Sequence, residues 1–181
     1  VYLPNVKDIL SFKPKNKIYL DKFSKNLCGR FRKGHFHGVV NIVNRFLEII
    51  KPRHLILGTK DFQQLFLIKR HISKTRIKTK IIACKTIREK NGVACSTRNK
   101  NLTKKQFLIA SKVYIYLYKA KKRPFTNLKI IKEKLLILGV KKIDYLEIYN
   151  LNNLKKTSLL SKNSKIFIAY YLNNIRLIDN I

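Results

Sequence analysis

The chain has 181 residues, 45% of them apolar, and carries 41 Lys+Arg against 9 Asp+Glu, a net charge of +32 and a pI near 10.4. That length suits one domain or two small ones with a real core; no apolar run approaches the ~20 residues of a membrane span, and the start lacks the shape of a signal peptide. Cys28, Cys84 and Cys95 are odd in number and form no CxxC pair, so neither a disulfide framework nor a zinc site is indicated, and reduced thiols in a cytosol fit.

Residues 1–33 read as irregular, with Pro4, Pro14 and many lysines, after an apolar, strand-like opening, VYLP. From Gly38 a helix is readable: Val39, Ile42, Val43, Phe46, Leu47 and Ile50 recur at three- and four-residue spacing, one face of a helix, and Pro52 marks its end. HLILG (54–58) is a short continuous apolar run, suited to a strand buried on both faces of a parallel sheet. Residues 61–72 read as a second helix with Phe62, Leu65, Phe66, Ile68 and Ile72 inward, and KTKIIAC (78–84) as another strand. Strand and helix alternate, which argues for βαβ units and an α/β domain.

After residue 86 the pattern changes. REKNGVACSTRNKNLT (88–103) reads as a polar loop with a short apolar centre. A long amphipathic helix follows over about 103–120, carrying Phe107, Ile109, Ala110, Val113 and Leu117, then another over 126–138, stopped by Gly139. KIDYLEIYN (142–150), KIFIAYYL (165–172) and NIRLIDNI (174–181) read as strands, the last two joined by a tight hairpin at Asn173 and Asn174. The expected organisation is an α/β part over 1–86 and a small α+β unit over 87–181.

The charge has two readings. Clustered Lys and Arg release counterions from phosphates, which suits a nucleic-acid binder. Yet the lysines spread along the whole chain, beside the Ile and Asn that AT-rich codons also supply, and a solvated lysine surface needs no partner. Tyr114, Tyr116 and Tyr118 stand among Lys112, Lys119, Lys121 and Lys122, but alternate positions on a helix do not share one face, and no RNA-binding signature is present.

Three stretches carry chemistry. In LGTKDFQQ, Gly58 to Asp61 follow a strand, where open α/β sheets bind ligands. Gly58 permits close backbone approach, Lys60 supplies a cation, and the helix start favours an anion such as phosphate. The plainer alternative is helix capping, since Asp61 and Gln64 are spaced like a capping box. In GRFRKGHFHG (29–38), His35 and His37 lie two apart, with no third metal ligand nearby, so a basic loop before a helix, with a phosphate or carboxylate contact, is preferred to a metal site. In CSTRNKNLT (95–103), Ser96 and Thr97 precede Arg98; hydroxyls, a guanidinium and local N–H groups make a phosphate clamp, compatible with a turn in which Thr103 caps the next helix.

GRFRKGHFHGVVNIVNRFLEIIKP, LGTKDFQQLFLIKR, KTIREKNGVACSTRN and IRLIDNI, four blocks in order over residues 29–181, resemble the pantoate–β-alanine ligase (pantothenate synthetase) family, with patterns near RPGHFxGV, GEKDxQQ, TVREpDGLAxSSRN and RLIDN. The resemblance implies a Rossmann-like nucleotidyltransferase domain, here partial, a parallel sheet with flanking helices, followed by a small α+β lid domain, in a cytoplasmic homodimer. The implied reaction uses ATP and Mg2+, the ion held mainly by the ATP phosphates: pantoate attacks the α-phosphorus to give pantoyl adenylate and pyrophosphate, and the amine of β-alanine then displaces AMP. By the same resemblance Gly58, Thr59, Lys60 and Asp61 meet ATP, Ile87 and Cys95 lie in its site with Ile87 toward the adenine, and Ser96, Thr97 and Arg98 bind phosphates. Gln64 holds pantoate in a pocket walled by Ile42 and Val43, and Lys60 and Arg98 stabilise charge.

There are departures. Thr59 stands for the usual Glu, Thr97 for the second Ser, Cys95 for a larger apolar residue and Lys33 for Pro. The family's HxGH signature, which supplies a catalytic histidine, is not among His35, His37, His54 and His71. With no Met in the sequence, this leads to the expectation of a C-terminal portion, inactive alone. A basic nucleic-acid-binding protein and a non-functional gene remnant are the alternatives; no membrane association and no specific nucleic acid are expected.

Overall fold

The computed structural model describes residues 2–123 and 127–181. The chain divides into two compact units, Val1–Lys85 and Thr86–Ile181.

In the first unit, two short helices, α1 (Val6–Leu10) and α2 (Cys28–Phe31), and a 3-10 turn at Lys22–Lys25 occupy the stretch expected to be irregular. Four or five residues are too few to display a helical period in sequence. The turn is set by Asp21, whose Oδ1 accepts from the Phe23 N–H at 2.9 Å. Residues 2–4 form no strand, and Tyr2 and Leu3 are exposed; Val1 lies outside the described residues.

Helix α3 (His35–Ile50) starts one turn earlier than Gly38. Its buried line is Phe36, Val40, Asn44 and Leu47, while Ile42 and Ile50, expected inward, are 36% and 51% exposed. Apolar residues cover more of this helix than its unit covers, so their spacing alone did not select the buried strip.

Strand β1 (His54–Gly58), helix α4 (Phe62–Lys74) and strand β2 (Lys80–Cys84) form the expected βαβ unit. The strands pair in parallel, His54 opposite Lys80 through Gly58 opposite Cys84. Burial on both faces of β1 is not found: exposed and half-buried residues alternate, and Ile56 is 66% exposed. This sheet has two strands, and Leu55 and Leu57 are its more covered side chains on β1. On α4, Leu65, Ile68 and Ile72 are buried as expected, but Gln63, Leu67 and His71 are buried too, and Phe62 and Phe66 only partly.

In the second unit, α5 (Lys104–Lys121) begins at Thr103, whose Oγ1 accepts from the Gln106 N–H at 3.2 Å while the Gln106 side chain accepts from the Thr103 N–H at 2.9 Å. That reciprocal box settles the helix start. Helix α6 (Leu128–Ile137) is capped by Asn127, which accepts from the Lys129 and Ile130 N–H groups; residue 126, its expected first residue, lies outside the described residues. Gly139, at φ +105°, ends it, with Val140 N–H donating back to the Leu135 carbonyl.

Strands β3 (Lys142–Asn150), β4 (Ser164–Leu172) and β5 (Ile175–Asn180) make an antiparallel sheet in the order β3-β4-β5. The β4–β5 hairpin closes Leu172 on Ile175, with Asn173 at φ +54°. Val113 and Leu117 of α5, Ile131 and Leu135 of α6, and Ile148, Ile166, Ile168 and Leu172 of the sheet form its core.

Candidate functional site

The residues that carry chemistry fall into two groups, one in each unit.

In the first unit, β1 ends at Gly58, and Thr59–Asp61 make a single 3-10 turn before α4 starts. Gly58 has φ −76°, a conformation open to any residue, and a Cβ placed there would meet nothing within 4 Å. Neither backbone geometry nor packing within the unit therefore demands glycine, and the space beside it is open. Thr59 and Lys60 are half-buried and Asp61 is exposed. Asp61 stands at the N-cap of α4 but makes no side-chain cap hydrogen bond, so the capping-box alternative for Asp61 and Gln64 is not realised. The 3-10 turn holds Asp61 at φ −93°, ψ 54°, away from the extended geometry in which a cap side chain folds back on its own helix.

The two glutamines of this stretch have different work. Gln63 is buried: its Oε1 accepts from the Cys28 N–H at 3.1 Å, and its Nε2 donates to the Phe23 and Asn26 carbonyls, both at 2.8 Å. Gln64 is half-buried. Ile42 and Val43 sit on α3, which packs against α4.

Between α3 and α4 lies a polar network that the apolar spacing did not reveal. His71 is fully buried. Its Nδ1 accepts from the Tyr19 N–H at 3.2 Å, which leaves the proton on Nε2 to be donated to Asn44 Oδ1 at 2.9 Å. Asn44 Nδ2 donates to Glu48 Oε1 at 2.9 Å, and Glu48 also accepts from the backbone of Lys15 and Asn16. Burial pushes the His71 pKa down, against the opposing pull of Glu48. Burial pushes the Glu48 carboxyl up, but the hydrogen bonds from Asn16, Lys15 and Asn44 together hold it below its usual value. Asn44 and His71 interrupt otherwise apolar helix faces, and that interruption was the one sequence signal of the network.

His35 and His37 belong to the first turn of α3 rather than to a loop before it. Gly34 at φ +74° provides the turn into the helix. Lys25, Arg30, Arg32, Lys33 and His37 line a cavity of about 350 Å³ there. Among the described residues no three His, Cys, Asp or Glu side chains gather as a metal-binding group.

In the second unit, Ile87 is 76% exposed, and Cys95 is half-buried, with its N–H donating to the Ile87 carbonyl at 3.0 Å. Ser96 caps a 3-10 turn over Thr97–Asn101, its Oγ accepting from the Arg98 N–H at 3.3 Å. The Ser96 hydroxyl proton is not used by that bond and stays available to an acceptor. Thr97 and Arg98 are exposed. Each group thus offers a cation, polar donors and an open turn, which suits an anion. No helix of the described residues is long and apolar enough to cross a membrane.

Comparison with known proteins gives one answer by three routes. The sequence profile of the family "Pantoate-beta-alanine ligase" matches residues 1–181. A pantothenate synthetase of Flavobacterium psychrophilum is 37% identical over all of this chain and 67% of its own length. One of Francisella tularensis subsp. novicida is 38% identical over 99% of this chain and 63% of its own length. A crystal structure of the Francisella tularensis pantoate-beta-alanine ligase, complexed with beta-gamma ATP and beta-alanine, superposes at a TM-score of 0.78 with 36% identity, covering 97% of this chain and 61% of that one. The pantothenate synthetase of Thermus thermophilus gives a TM-score of 0.87 at 25% identity, over 98% of this chain and 67% of that one. The chain thus spans roughly two thirds of the length of the proteins it resembles.

Proposed function

The chain belongs to the pantoate-beta-alanine ligase family, and on that premise we propose that it takes part in the ATP-dependent joining of pantoate to β-alanine. The observation that carries this is the Gly58–Asp61 turn. It is an open, glycine-led turn after a parallel strand, beside a lysine and a helix start, and Asp61 makes no cap bond that would explain it as capping. The Francisella neighbour's complex with beta-gamma ATP and beta-alanine supports the same ligands here.

In this reading the pantoate carboxylate attacks the α-phosphorus of ATP, releasing pyrophosphate. The β-alanine amine then attacks the acyl carbon and AMP leaves. Charge builds on the phosphates in the first step, and Lys60 and Arg98 are the cations that balance it. The Gly58 backbone permits close approach, while the hydroxyls of Thr59, Ser96 and Thr97 donate to phosphate oxygens. Asp61 and Cys95 lie beside the nucleotide, and Ile87 presents apolar surface to the adenine. The Gln64 amide holds pantoate, with Ile42 and Val43 as its apolar wall.

Mg2+ would supply further neutralisation of phosphate charge. In this reading the ion is carried mainly by the phosphates themselves, whose oxygens and bound waters fill most of its shell. A cytoplasmic homodimer, with the second unit acting as a lid, completes the proposal.

Calorimetric titration of the chain with Mg-ATP tests it. Lys60→Ala and Arg98→Ala should each weaken binding about tenfold, ~1.4 kcal/mol. Wild-type affinity in both variants would overturn the assignment. Residues 1–181 contain no HxGH, so this polypeptide by itself is not expected to form pantoyl adenylate, and pantothenate formation by it would refute that part.

A further inference from the structure

One ion pair organises the approach to the Ser96–Arg98 turn. The Arg88 guanidinium donates from Nη1 to Asp179 Oδ2 at 2.7 Å and from Nη2 to Oδ1 at 3.0 Å, a two-pronged match of fork to carboxylate. The same Nη1 donates to the Gly92 carbonyl at 3.0 Å, and the guanidinium lies 4.3 Å over the Tyr114 ring. Arg88 is therefore tied at once to β5, to α5 and to the far side of its own loop.

The loop transmits that hold. Arg88 and Ala94 face each other in an antiparallel bridge. Glu89 N–H donates to the Val93 carbonyl and Cys95 N–H to the Ile87 carbonyl, at 2.8 and 3.0 Å. From inside the next turn, Asn99 Nδ2 donates to the Ala94 carbonyl at 3.1 Å. Gly92 lets the loop lie flat on α5: it has φ +87°, and a Cβ there would sit 2.1 Å from the Tyr114 ring. Ser111 Oγ, also on α5, donates to the Asn91 carbonyl at 2.8 Å.

We infer that Asp179 and Arg88 are positioning residues, which fix the Ser96–Arg98 turn in the conformation that receives phosphate. The inference rests on the proposed nucleotide role of that turn. The pair is mostly buried, its side chains 20% and 11% exposed, but the β4–β5 ladder is built by backbone bonds on both sides of Asp179. Its loss should loosen the loop and turn more than the sheet.

The test uses the full chain in two variants. Asp179→Asn keeps shape but removes the charge; Arg88→Lys keeps a charge but cannot make the parallel pair of bonds. Amide hydrogen exchange should accelerate across residues 88–101 in both, with β3 and β4 still protected. Mg-ATP affinity should fall about tenfold, with no further loss when Arg98→Ala is added, because a misplaced arginine contributes little to remove. Asn127→Ala, which weakens the α6 cap, should lower stability without either effect.

Unchanged exchange over 88–101 in either folded variant overturns the inference, as does fully additive loss with Arg98→Ala. If Asp179→Asn does not fold, Arg88→Lys decides. If wild-type chain does not bind Mg-ATP, the nucleotide reading of the turn fails, while the exchange measurement still reports whether the pair positions it.

Discussion

Gln63 and Gln64 are identical on paper and adjacent in the chain, yet the fold gives them opposite environments. Gln63 is enclosed by three backbone groups from residues 23–28. Removing it takes the acceptor from the buried Cys28 N–H, while the Phe23 and Asn26 carbonyls keep the backbone donors Asn26 N–H and Gly29 N–H; one unsatisfied buried group costs about 1–3 kcal/mol. Gln63→Ala should therefore destabilise the first unit by roughly 2 kcal/mol. Gln64→Ala should cost less than about 0.5 kcal/mol and act instead on pantoate affinity. Urea denaturation of both variants checks the contrast; equal stability losses would return Gln64 to a structural role. The sequence could not separate these two, because Gln63 is buried by carbonyls 37 and 40 residues away. It did mark the turn that precedes them, since Gly58, Lys60 and Asp61 are local in sequence and local in the fold.

At the scale of elements, what was legible was whatever neighbours in sequence decide. The β1–α4–β2 alternation, the Thr103 start of α5, the Gly139 stop of α6 and the Asn173 hairpin rest on residues within a turn of each other. What was not legible was which strip of α3 is buried, because partners from other elements choose it. Asn44 is buried there because His71 and Glu48 complete its hydrogen bonds.

That network joins the Lys15–Tyr19 segment to α3 and α4 and makes the first unit sensitive to acid. His71 titrates in the fold below its ordinary 6.5, so the neutral ring is the folded form. As pH drops below about 6.5 the unfolded chain gains a proton that the folded chain refuses, and stability falls until the folded value is passed. Glu48 adds to this at lower pH: its contribution is complete above its ordinary 4.5 and is lost as pH falls through its depressed folded value. The melting temperature should thus be level between about pH 7 and 8 and decline from about pH 6.5 downward. In His71→Gln the first limb of that decline should flatten, even if the variant is less stable throughout. An unchanged slope between pH 6.5 and 5.5 would show that His71 does not carry it.

For the molecule as a whole the governing quantity is a net charge of +32 on 181 residues. Several of the nine carboxylates are already committed: Asp21 pairs with Arg70, Asp144 with Arg176 and Lys142, Glu147 with Lys156, and Asp179 with Arg88. The cations therefore outnumber anything that can neutralise them, and their mutual repulsion opposes the compact state. Two readings of this charge make different predictions with salt. If the lysines form a dispersed, solvated surface, stability should depend on ionic strength alone. Shortening the screening length from about 30 Å at 0.01 M to about 8 Å at 0.15 M should then raise Tm, with relief of ~1 kcal/mol worth about 4–8 °C for a unit under 100 residues. NaCl and KCl should act alike and without saturation in that range. If instead a few cations are gathered into built anion sites, pyrophosphate should stabilise at concentrations far too low to change ionic strength, and the gain should level off as the sites fill. Both effects are expected here, separable by variant: Arg98→Ala should remove the share of the saturable part that belongs to the Ser96–Arg98 turn and leave the NaCl slope intact, because one charge among forty-one scarcely alters the general repulsion. A NaCl slope that vanishes with Arg98 would mean that the rest of the charge exerts no destabilising pressure on the fold, and the dispersed reading would fall.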